Sequence, residues 1–100
     1  MAIGDIRRLG LVGFDRAGDE VAVQARMVAL DDARWGAEAP AELVAILERD
    51  PRVRLEDGTT WTAQVLRSGR TYAEVHGRLR RSRRWPGRGV KGPVLVLRPD

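Results

Sequence analysis

Between Arg78 and Lys91 seven cationic side chains surround one aromatic, with no acid among them. The cations are Arg78, Arg80, Arg81, Arg83, Arg84, Arg88 and Lys91, and the aromatic is Trp85. Guanidinium groups pair bidentately with phosphate and carboxylate, and an indole stacks on a base or on arginine. Gly87 and Gly89 would let the backbone approach a ligand closely. The chemistry of this run is anion binding. Its partner is either nucleic acid or an acidic protein surface, and the plain alternative is a solvated loop.

Charge distribution says more than the total. Residues 1–77 hold ten arginines against thirteen carboxylates, a net of −3. Residues 78–100 hold eight cations against Asp100, a net of +7. Of the 18 basic residues only Lys91 is a lysine, a bias that fits a GC-rich genome and weakens any argument from arginine count alone.

No other residues carry comparable chemistry. His76 is the only histidine and has no Ser or Cys nucleophile close by in sequence, so a surface role is expected. With one His and no Cys, neither a zinc nor an iron site can be assembled, and no metal or cofactor is expected. Asp31-Asp32 and Glu56-Asp57 are adjacent pairs, which a strand splits between its two faces. Turn and capping roles explain them better than a shared-proton dyad. Gly10 and Gly13 lack the spacing of a phosphate loop. An enzyme is not expected.

The elements that must position the cationic run follow from hydrophobic period. The 100 residues form one domain, and the absence of Cys removes any disulfide framework. Arg7–Phe14 is apolar and punctuated by glycine, and Glu20–Leu30 sets Val21, Val23, Ala25, Met27 and Ala29 on one side; with the turn Asp15–Asp19 between them they predict an N-terminal hairpin within 1–30. Asp31–Ala39 reads as a connector holding Trp35, either a core plug or an interface anchor. Pro40 opens a helix over 40–49, with an apolar stripe at Leu43, Ile46 and Leu47. Asp50-Pro51 stops it.

Residues 52–79 read as a three-stranded meander. Placing Gly58 last in a three-residue loop pairs Val53 with Trp61 and keeps one face apolar. The same rule at Gly69 pairs Ala63 with Ala73 and Trp61 with Val75. Val53, Leu55, Trp61, Ala63, Val65, Ala73, Val75 and Leu79 then face inward, with Trp61 as the core anchor. An arginine-rich loop spans 80–92, and 93–98 is a closing strand.

The expected fold is α+β or mainly β: a small antiparallel barrel or rolled sheet of about six strands, with one helix at 40–49. No apolar run approaches the roughly 20 residues of a membrane span, and no signal-peptide core opens the chain. The expected location is therefore the cytoplasm or a virion. The functional expectation is a non-enzymatic subunit that docks other protein subunits through its hairpin and its Arg78–Lys91 arm. A phage head–tail or tail component would suit that size and architecture. The alternative is a stand-alone DNA- or RNA-binding module that grips phosphates with the same arm.

Overall fold

The computed structural model describes residues 5–81 and 92–100. The N-terminal segment forms β1 (Ile6–Phe14) and β2 (Glu20–Ala29), paired antiparallel from Ile6 opposite Val28 to Phe14 opposite Glu20. Gly18 turns the chain between them at φ +83°. The expected connector contains a strand of its own, β3 (Trp35–Glu38), which pairs with β2. Four residues are too short for a periodic signal, and Gly36 argued against a strand.

Helix α1 (Ala41–Arg49) follows as expected, except that Pro40 is its N-cap at φ −63° and ψ 130° rather than its first turn. Asp50 ends it in extended geometry. Leu43 and Leu47 are buried, and Ile46 packs beside them. The side of Gly13 where a side chain would stand faces this stripe, since a Cβ there would lie 3.1 Å from Leu43 Cδ2. The helix thus plugs one end of the sheet.

Strands β4 (Arg52–Leu55) and β5 (Thr60–Leu66) pair in the expected register, Val53 opposite Trp61. Gly58 takes φ +86°, and the Leu55 N–H donates to Thr59 O, as a three-residue loop requires. The third strand of the meander does not exist. Residues Arg70–Arg81 form helix α2, and β5 pairs instead with β6 (Val94–Pro99). Ala63 lies opposite Leu97 and Trp61 opposite Pro99, replacing the expected Ala73 and Val75. Ala73 is exposed.

Six strands close into an antiparallel barrel in the order β1-β2-β3-β6-β5-β4. Two apolar layers hold it. Leu11, Met27, Trp35, Leu95 and Leu97 fill the interior with the α1 stripe. Val28, Leu30, Val94 and Val96 point outward and are covered by Val75 and Leu79 of α2. Strand β6 is therefore buried on both faces and also closes the barrel. Gly36 lets α2 approach, because a Cβ there would meet Val75 Cγ1 at 2.9 Å.

Trp61 is only half-buried and donates from Nε1 to Thr59 Oγ1 at 3.0 Å. The buried indole is Trp35, with 5% of its surface exposed. The anchor expected at Trp61 sits on β3 instead, in the interior layer of a strand that the sequence hid.

Gly77 lies inside α2, where glycine costs about 1 kcal/mol relative to alanine. A Cβ there would meet only the mobile end of Arg81, at 3.0 Å. Gly77→Ala should therefore raise stability by about 0.5–1 kcal/mol in urea unfolding. A destabilised variant would contradict a helix at this position.

Candidate functional site

The cationic run begins on a helix. Arg78, Arg80 and Arg81 occupy the last turn of α2, where the helix dipole favours positive charge. The expectation that Arg80 and Arg81 belong to a loop is corrected: Val75 and Leu79 dock α2 on the barrel and carry the helix through Arg81. Arg83, Arg84, Trp85, Arg88 and Lys91, and the rest of the expected loop at 82–91, lie outside the described residues.

Helical spacing brings together side chains that a strand would have separated. Tyr72 and His76 lie one turn apart, and their rings stack with centroids 5.6 Å apart and planes inclined by 26°. His76 therefore lies on a helix and not on the third strand of the expected meander. Tyr72, Ala73, His76 and Gly77 line a shallow groove whose rim is Arg80 and Arg81. The Arg81 guanidinium lies over Gly77, where the missing side chain leaves room.

Two contacts fix the groove to the barrel. The Tyr72 hydroxyl donates to Gly92 O at 3.3 Å. Arg34 donates to Asp31 at 2.7 Å and to Glu74 at 3.2 Å, tying the β2–β3 loop to α2. The N–H of Ala33 and the Arg34 guanidinium hold the Asp31 carboxyl below its usual range, so it stays charged at neutral pH. Asp31 thus acts in its turn, as Asp57 does by accepting from Thr59 N.

Besides Arg34, three arginines outside α2 are paired with carboxylates close to the barrel, while Arg7, Arg8, Arg16, Arg49 and Arg98 have no ion pair among the described residues. Arg52 meets Asp50, Arg54 meets Glu20, and Arg67 meets Glu48. Glu74, the only carboxylate of α2, is taken by Arg34. Among the described residues Arg70, Arg78, Arg80 and Arg81 have no carboxylate partner, and Arg80 and Arg81 are exposed. Positive charge at this end of the molecule is thus not neutralised by carboxylates among the described residues.

The sequence reading missed Arg70, Tyr72 and the stacking role of His76. Their signal was the i, i+4 spacing of Tyr72 and His76, overshadowed by an apparent period of two. Among the described residues no group of three or more His, Asp or Glu side chains could hold a metal ion, and no helix is long and apolar enough to cross a membrane. No protein-family model, curated protein or solved structure matches the chain.

Proposed function

We propose that this protein is a non-enzymatic docking subunit of a larger protein assembly. The cationic end of α2, with the arm that follows it, holds an acidic surface of a neighbouring subunit, and the β1–β2 hairpin offers a second contact. The supporting observation is that Arg70, Arg78, Arg80 and Arg81 lack carboxylate partners among the described residues and cluster on one helix, whose single carboxylate, Glu74, is taken by Arg34. Complementary charge of this kind steers association and sets register more than it adds affinity. A phage head–tail or tail structure is an assembly of the right kind, which would place the protein in the cytoplasm or the virion.

A second reading rests on the Tyr72–His76 stack beside Arg80 and Arg81. Aromatic rings next to guanidinium groups are what single-stranded nucleic acid binds, so a DNA- or RNA-binding module is the alternative.

The deciding test sizes the native protein in nuclease-treated extract of its source cells. Docking predicts elution well above the monomer, and a return toward the monomer when Arg78, Arg80 and Arg81 become Glu. Monomer elution of both forms refutes docking. In parallel, fluorescence anisotropy with labelled duplex and single-stranded DNA at about 50 and 200 mM salt examines the alternative. Tight binding that falls by orders of magnitude with salt, and vanishes in the variant, would install the nucleic-acid reading.

A further inference from the structure

Strand β1 has nine residues, but only Leu11 and Val12 find register partners on β4. Pairing ends at Glu56, whose carboxylate accepts the N–H of Gly10 where the β4 ladder gives out. Gly10 permits this, since a Cβ there would sit 2.8 Å from Glu56 Cγ. Beyond that point Ile6–Leu9 pairs with β2 alone among the described residues.

The direction of the free groups follows from strand geometry. N–H and C=O of alternate residues point to the same side. Asp5 O accepts from Ala29 on the β2 side, and Gly10 N donates to Glu56 on the β4 side. Ile6 and Arg8 therefore present their backbone groups to the open side. Exposed strand edges of this kind accept an added strand.

The charge there selects the occupant. Arg7 and Arg8 are exposed, and Arg26 lies opposite Arg8 on β2. Arg8 has no ion pair among the described residues. Self-pairing of two copies in antiparallel register would oppose these arginines, which is unfavourable. An arginine on an edge also guards against indiscriminate pairing; the same charge that repels a basic strand admits an acidic one. On the other face Leu9 is half-buried and packs on the core, so the position of the added strand beside it meets apolar surface, while Arg7 shares that face and Ile6 shares Arg8's.

We infer that the open edge of β1 at Ile6–Leu9 is a strand-acceptor site for an acidic, extended segment of a partner protein, with acidic residues facing Arg8 and apolar residues facing Leu9. This rests on the docking reading and names the chemistry of its second contact.

The probe is a peptide of about eight residues in which glutamate alternates with valine or threonine, titrated into ¹⁵N-labelled protein. Shifts should concentrate at the amides of Ile6–Leu9, and the Arg8 amide should gain protection from solvent exchange. Arg8→Pro removes an N–H that β2 does not use, so the barrel should persist while binding is lost. Arg8→Glu should weaken binding about tenfold or more and favour a lysine version of the peptide instead. The Arg78, Arg80 and Arg81 to Glu variant should bind the peptide as the wild type does.

Absence of edge shifts at millimolar peptide overturns the inference, as do shifts confined to α2 that ignore Arg8→Pro. A protein dimer that Arg8→Pro dissociates would make a second copy the occupant, and would overturn it too. If the extract assembly persists in a protein that fails to take the peptide, docking stands and only the edge assignment falls.

Discussion

Trp35→Ala should remove about 3–5 kcal/mol, while Trp61→Ala should remove only about 1–2 kcal/mol. Trp35 is 5% exposed, lies in the barrel interior with Leu97 opposite it, and has the Arg7 guanidinium 5.9 Å from its ring centroid. Truncation would leave a large cavity bounded by strands that closure prevents from collapsing inward. Trp61 is half-buried between Val53 and Pro99 of the neighbouring strands, and its Nε1 bond to Thr59 is exposed. A domain of this size has about 5–15 kcal/mol of total stability, so the first change takes a large share. Each kcal/mol moves the midpoint about 4–8 °C in a domain this small, so Trp35→Ala should melt at least about 12 °C lower. Thermal unfolding of both variants checks the order. Equal losses, or a larger loss at Trp61, would return the anchor to β5.

Leu79→Ala should cost about 2–5 kcal/mol, and Ala73→Gln should lie within about 0.5 kcal/mol of wild type. Leu79 is 1% exposed and covers Val94 and Val96 on the outer face of β6. Ala73 is exposed on α2. In a three-stranded meander Ala73 would instead face Ala63 in the interior, and glutamine there would bury an amide at a cost of about 1–3 kcal/mol. Denaturant unfolding of the two variants therefore separates the helix from the strand. A severe loss at Ala73 would restore the meander, whereas loss at Leu79 alone supports the helix packed outside the barrel.

Much of the fold was legible because it is written in local periods. The apolar stretch of β1, the one-sided set of β2, the Leu43 and Leu47 stripe of α1, and the Gly58 loop each follow from a few neighbouring residues. The apolar run Val94–Leu97 carried its own message, since four successive apolar residues in a strand need cover on both faces. The position of the cations at the C-terminal end was equally plain.

The helix at Arg70–Arg81 was not settled locally. Val75 and Leu79 are four apart, a spacing that keeps two residues on one face in both a strand and a helix. Thr71, Tyr72 and Val75 favour strands, and Gly77 weakens a helix. Two periods fitted, and the choice passed to packing. Val28, Leu30, Val94 and Val96 leave an apolar patch on the outside of the closed barrel, which an amphipathic helix covers with Tyr72, Val75 and Leu79. A further strand could not, because β5 already pairs with β4 and β6. That decision turned an expected loop at Arg80 and Arg81 into a helix end, and it placed Tyr72 and His76 in one groove with them. The sequence by itself determined a small basic domain built on a barrel or rolled sheet, with a cationic C-terminal run, and left closure of the barrel open. Only the tertiary structure decided which arginines stand together without carboxylates, because Arg34–Glu74, Arg54–Glu20 and Arg67–Glu48 join residues far apart in sequence.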